Sequence, residues 1–176
     1  QNTFGINILK AGGYVFLIWG VGTLTDLIVG GWLVDYLIKR GMDANRVRKT
    51  VLITGLVMGF AVIGAAYTKD INVAVMWITI AVAGISFHAP VGWSIPGLIA
   101  PNNSTGQVGG IMNFLNNVAA TFAPTITGFI VGTTGNFNIA LITAAIILVV
   151  GIFSYVFVLG RIDKIPEPPN SAPSFA

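Results

Sequence analysis

Charge is what this sequence most conspicuously lacks. Of 176 residues, nine are Lys or Arg and six are Asp or Glu, which makes 9% charged. A soluble domain carries about 25%. Between Thr50 and Gly160 the charged residues are the adjacent pair Lys69 and Asp70, and from Ile71 to Gly160 there is none. A soluble fold cannot cover its surface with such a stretch. Cysteine is absent, which excludes disulfides, thiolate metal sites and Cys nucleophiles. Disorder is excluded by the 55% hydrophobic content and a mean hydropathy of +0.84, because so much apolar surface does not stay hydrated. No basic segment followed by a short apolar stretch and a cleavage site opens the chain, so no signal peptide is expected. The sequence begins at Gln1 and not at Met, and the expectation is that the N-terminal part of a longer protein is missing.

What is present suits a bilayer. A helix needs about 20 mostly apolar residues to cross the hydrocarbon. Five segments qualify: about Gly12 to Leu37, Val51 to Thr68, Val73 to Gly92, Gln107 to Gly132, and Ile139 to Leu159. Barrel strands are about 10 residues long and alternate strictly; these runs are longer and do not alternate. The fold class is therefore an all-α membrane protein with about five transmembrane helices. The expected organisation is an extracytoplasmic loop remnant over 1–11, a helix bundle over 12–160, and a disordered cytoplasmic tail over 161–176. The tail holds Pro166, Pro168, Pro169 and Pro173, a composition that does not pack.

Lys and Arg in short loops set the orientation. Lys39, Arg40, Arg46, Arg48 and Lys49 fill the first loop, which places it in the cytoplasm. The N-terminus then lies outside, and five crossings leave the tail inside. Trp93 to Gly106, with Pro96, Pro101, Asn102, Asn103 and Ser104, reads as a further loop. Its two glycosylation acceptor patterns fall on the cytoplasmic side, where modification is not expected.

Polar residues divide the spans. The second and fifth carry few and read as supporting helices against lipid. The first carries Thr23, Thr25 and Asp26. A carboxylate at that depth is costly unless it faces a cavity or a partner. Asp26 is thus a functional candidate, or else a protonated, hydrogen-bonded side chain that holds helices together. The third carries Ser86, His88, Pro90, Trp93, Ser94 and Pro96. Two prolines in seven residues predict a kinked or broken helix end of the kind tolerated beside a cavity. His88 reads as a proton relay or as a neutral side chain bonded to a neighbouring helix. Trp93 reads as an interfacial belt residue or as the wall of a pocket. On the fourth span Asn113, Asn117, Thr121 and Thr125 recur every four residues along one face. That face lines a cavity or bonds other helices; amides turned to lipid would be left unsatisfied. Glycine pairs four residues apart, Gly55/Gly59, Gly106/Gly110 and Gly128/Gly132, allow close helix packing.

The most specific motif runs from Gly30 to Gly41. Gly31, Asp35 and Lys39 share a helix face at four-residue spacing, and Asp35 can pair with Lys39, with Lys39 and Arg40 at the negative end of the helix dipole. One reading is an ordinary helix end with basic anchors; the other is a latch of Gly31, Asp35, Lys39 and Arg40 that packs against a neighbour in one conformational state. The spacing Gly-x-x-x-Asp-x-x-x-Lys-Arg-Gly resembles the signature loop of the major facilitator superfamily in its second-half copy, departing from it at Tyr36, where Arg or Lys is frequent. With Ala89-Pro90-Val91-Gly92-Trp93-Ser94-Ile95-Pro96, Gly109-Gly110-Ile111-Met112-Asn113-Phe114, Ala123-Pro124 and Thr127-Gly128-Phe129, the chain resembles the anion:cation symporter family of sugar-acid transporters, from about Lys10 to Lys164.

The resemblance implies that the five spans correspond to helices 8–12 of a twelve-helix fold in the cell membrane, with helices nine and twelve as supports. It implies alternating access and cotransport of a small organic anion with protons, with Trp93 and Asn113 lining the substrate pocket and Asn117 one turn away. The expected partners are membrane lipid, the anion, protons and the missing N-terminal half, which holds the family's main anion-binding Arg and coupling carboxylates. Asp26 matches no coupling residue that the resemblance carries over; Asp26 and His88 stand as candidate intramembrane polar or coupling residues. The other classes considered are a membrane structural or accessory subunit, or an inactive fragment, using its polar stripe only for packing, and a membrane enzyme built on Asp26 and His88. The enzyme reading finds no metal cluster, no nucleophile with its base and no phosphate loop, and Gly20-Val21-Gly22 lacks the third glycine of a dinucleotide fingerprint. No cofactor or metal is implied. Nucleic acid is not expected, since the net charge of +3 arises mainly from the one basic loop.

Overall fold

The computed structural model describes residues 7–101 and 104–166. The acceptor asparagines Asn102 and Asn103, residues 1–6 of the proposed loop remnant and residues 167–176 of the tail lie outside the described residues. Among the described residues five helices are long and apolar enough to cross a membrane: α1 Ile8–Lys39, α2 Ala44–Tyr67, α3 Ile71–Ile99, α4 Thr105–Thr134 and α5 Phe137–Val158. The chain is a multi-pass, all-α membrane protein segment.

The few polar residues at the helix ends do defined work. The Asp43 carboxylate accepts from the Arg46 N–H at 2.8 Å and starts α2. Asp70 accepts from the Asn72 and Val73 N–H groups and starts α3. Asn136 accepts from the Asn138 N–H and starts α5. Each satisfies an N–H that the helix itself cannot. Gly41 follows α1 at φ +89° and Gly135 ends α4 at φ +65°, a conformation that costs a residue with a Cβ.

Two helices contain π-helical turns, at Val29–Leu33 in α1 and Ser154–Val158 in α5. The bilayer segment of α2 is interrupted at Phe60 and Ala61. The largest departure from the sequence reading is α3. Where Trp93 onward reads as loop, the helix continues through Pro90 and Pro96 to Ile99. Each proline removes one N–H donor, and packing against neighbouring helices tolerates the loss. At this end of α3 the Ser94 hydroxyl donates to Val91 O at 2.8 Å, and the Ala100 N–H closes the last helical turn on Pro96 O at 3.0 Å.

Helix α3 is the hub. It packs against α1, α2 and α4, while α2 and α4 both meet α5. Of the five spans, α2 is the most buried. It crosses α3 almost backbone to backbone: a Cβ built on Gly55 lies 2.5 Å from Gly84 O, and one on Gly84 lies 2.6 Å from Gly55 O. Gly59 faces Leu148 of α5. The other two glycine pairs, Gly106/Gly110 and Gly128/Gly132, face open space.

The core gathers Val29, Val51, Leu52, Val91 and Ile162. Ile162 belongs to the segment after α5, yet is only 3% exposed. Its N–H donates to Asn45 Oδ1 at 3.0 Å, the Ile165 N–H donates to Ile99 O at 2.9 Å, and Lys49 Nζ donates to Leu159 O at 2.6 Å. The start of the tail thus crosses beneath α2 and α3, at the end of the bundle that also holds the basic loop.

Candidate functional site

Between α1 and α3 lies an open cleft of about 470 Å³. Two close approaches hold its walls. A Cβ on Gly22 would meet Ser86 Oγ at 2.9 Å, and one on Gly30 would meet Pro90 Cβ at 2.9 Å. From α1 the cleft receives Trp19, Thr23 and Asp26; from α3 it receives Ser86, Pro90 and Trp93. Residues 19, 23 and 26, like 86, 90 and 93, sit three or four apart and so share one helix face. The Thr23 hydroxyl donates to Trp19 O at 2.9 Å, leaving its oxygen lone pairs to accept. The Asp26 carboxylate has no hydrogen-bond or ion-pair partner among the described residues. Trp93 is 51% exposed. Such a cleft can accept hydroxyl protons at Asp26 and Thr23, donate from indole N–H groups, and cover an apolar carbon chain with the ring faces.

The other residues singled out in the sequence fall elsewhere. His88 is two residues from Ser86, which turns it to the opposite flank of α3. There its backbone and Cβ face Gly55 and its ring lies 6.2 Å from that of Tyr155. Its Nδ1 lies 2.8 Å from Ile85 O; a carbonyl can only accept, so this nitrogen carries the proton. The bond is to its own helix and not to a neighbour. Asn113 and Asn117 stand on α4, away from the cleft that holds Trp93. Asn117 Nδ2 donates to Asn113 O at 2.8 Å and to Asn113 Oδ1 at 3.0 Å, and the Thr121 hydroxyl donates to Asn117 O at 2.8 Å. The stripe is therefore bonded along itself, and no residue of α4 is buried.

The Gly31–Arg40 motif divides in two. Gly31 borders the cleft. Asp35 borders a smaller pocket of about 240 Å³ with Arg48 of α2 and Ser94 of α3. The anticipated Asp35–Lys39 ion pair is not formed; among the described residues the ion pair is Arg161–Asp163, at 2.7 Å on the surface. Arg40 instead lies 4.5 Å over the Tyr36 ring, which stacks at 4.8 Å on Trp32. Tyr36, the departure from the superfamily pattern, thus forms the middle of a column at i, i+4, i+8. Sequence reasoning missed Trp19, though its spacing of four and seven residues to Thr23 and Asp26 carries the signal. It also missed Arg48 as the partner wall of Asp35, which only the α1–α2 packing reveals.

No protein-family model matches the chain. Curated relatives do. An uncharacterized transporter of Bacillus subtilis, YybO, is 38% identical over 166 residues, covering 94% of this chain and 38% of the relative. The probable galactarate/D-glucarate transporter GudP of Escherichia coli is 31% identical over 169 residues, covering 94% and 36%. Over more than nine-tenths of its length the chain is similar to transporters, among them probable galactarate/D-glucarate transporters. A D-galactonate transporter of Escherichia coli is 28% identical over 161 residues, covering 92% of this chain and 37% of its own length. The chain spans little more than a third of the length of these curated relatives.

Proposed function

We propose that the chain supplies helices 8–12 of a twelve-helix secondary active transporter. That transporter moves a sugar acid or related small carboxylate across the cytoplasmic membrane by alternating access, with proton symport. The observation that carries the reading is the α1–α3 cleft of about 470 Å³, which holds Trp93 and Asp26 together in a chain similar over nine-tenths of its length to probable sugar-acid transporters. Transporters of this architecture bind near the midplane and rock one repeat against the other around the site.

In this reading Trp93 covers the carbon chain of the substrate and donates its indole N–H to a hydroxyl or carboxylate. Asn113 and Asn117, on the unburied face of α4, meet the substrate from the side of the missing half. Their mutual hydrogen bond orients the amides before binding, so less ordering is required when the ligand arrives. The basic loop and the tail lie in the cytoplasm, and the N-terminus of the chain outside. Two observations support placing loop and tail on one side: Lys49 bonds Leu159 O and Asn45 bonds the Ile162 N–H. Asp35, in a pocket with Arg48 and Ser94, acts as the latch that holds α1 against α2 and α3 in one conformational state.

The test is uptake of labelled galactonate and glucarate by the full gene product in cells. Asn113→Ala is expected to raise the apparent KM about tenfold or to abolish uptake, the loss of one or two hydrogen bonds at a buried ligand, with unchanged abundance in the membrane. Uptake kinetics identical to the parent would remove Asn113 from the site.

A further inference from the structure

The charge of the α1–α3 cleft is unusual for a pocket that serves an anion. Its lining contains one ionisable side chain, Asp26, and no Lys, Arg or His. Helix α3 has no basic residue other than His88, and His88 faces the opposite flank. On α1 the nearest basic residues are Lys10 and Lys39, about 24 and 20 Å from Asp26 along the helix axis. Arg48 borders the neighbouring pocket, where it has Asp35 beside it. The remaining polar groups at the cleft are the Thr23 and Ser86 hydroxyls and the indoles of Trp19 and Trp93. This wall accepts hydroxyl protons well and has nothing with which to neutralise a carboxylate.

Sugar acids come in two kinds that differ at one end of the same carbon chain. Aldonates end in a neutral hydroxymethyl group, and aldarates end in a second carboxylate. The relatives named above include transporters of both kinds. Resting on the sugar-acid transport reading, we propose that Asp26 makes this cleft a selector of substrate charge: it receives the neutral, hydroxyl-bearing end of a monocarboxylate sugar acid and rejects the second carboxylate of a dicarboxylate. A carboxylate accepting from hydroxyls forms short, charge-assisted hydrogen bonds. Two carboxylates in the same cleft repel, and the repulsion grows as water is excluded when the cleft closes on a substrate. Discrimination of this kind works against the wrong ligand by an unfavourable charge contact.

The experiment compares uptake of galactonate with uptake of galactarate by the full gene product, so that the two substrates differ only at one terminus. The expected result is a kcat/KM at least tenfold higher for galactonate. Asp26→Asn is expected to move that ratio toward galactarate by tenfold or more, and Asp26→Glu, which keeps the charge, is expected to retain the galactonate preference. Membrane abundance of each variant is measured alongside. If Asp26→Asn does not accumulate, the parental ratio decides. A parent that prefers galactarate, or takes both equally, overturns the proposal, as does a ratio unmoved by Asp26→Asn. In those cases sugar-acid transport itself stands. Uptake of neither class would remove the transport reading and the charge rule together.

Discussion

Replacing Gly55 by alanine tests how the bundle holds its shape around the cleft. The added Cβ would lie 2.5 Å from Gly84 O, 2.6 Å from His88 Cβ and 2.9 Å from His88 N. Ordinary contact for a Cβ begins near 3.4 Å, so the shortfall against Gly84 O is about 0.9 Å. Two of the three obstacles are backbone atoms of α3, which cannot rotate aside. Helices α2 and α3 must therefore separate along their contact, drawing Leu52 and Leu56 away from the core they fill. Overpacking of this kind costs about 1–3 kcal/mol, and Ala in place of Gly in a helix returns about 1 kcal/mol. With backbone on both sides the cost lies at the upper end, leaving a net loss of about 2 kcal/mol, which lowers Tm by a few degrees. The assay is thermal stability of the full gene product in detergent, followed by size-exclusion chromatography of heated samples. Gly110→Ala is the matched control, because a Cβ there meets nothing within 4 Å. It should leave Tm unchanged or raise it. Equal melting of Gly55→Ala and Gly110→Ala would refute the backbone-to-backbone crossing.

Two further substitutions address the end of the bundle near the basic loop. Ile162→Ala removes a side chain only 3% exposed that packs with Val29, Val51, Leu52 and Val91; a loss of about 2–4 kcal/mol is expected, and a Tm within 1–2 °C of the parent would show that the tail does not hold the core. Asp35→Asn should lower kcat by more than it raises KM in uptake assays, since Asp35 lies in the Arg48 and Ser94 pocket and not in the α1–α3 cleft. An effect confined to KM would count against the latch.

The sequence by itself determined that this chain suits a bilayer and has five segments long and apolar enough to cross it. Uncharged apolar runs of sufficient length have one stable solution there, a helix that satisfies its own backbone. It also marked Asp26 and Trp93, because a polar or amphipathic residue stands out against an apolar run. The motif Gly31–Asp35–Lys39 read as one helix face, but Gly31 and Asp35 border different cavities; the relatives agree with the resemblance the motif carried. Helix ends were less legible. Pro96 reads as a terminus, yet a proline inside a helix forfeits one bond that packing can outweigh, and α3 continues to Ile99.

Which marked residues would meet was a matter for tertiary structure alone. Asp26 and Trp93 are 67 positions apart, and they share a cleft because Gly22 and Gly30 bring α1 onto one face of α3. His88 stands five residues before Trp93 but faces the Gly55 crossing, since the helix turns about 100° per residue. Of three similar glycine pairs, one is a helix contact and two face open space. Spacing permits close approach, and only a partner helix at the right depth realises it. The proline-rich tail reads as unpacked from its composition, but the burial of Ile162 depends on a gap among α1, α2 and α3. Hydropathy and periodicity are properties of one helix at a time; the cleft, the crossing and the strap beneath the bundle belong to how helices fit one another.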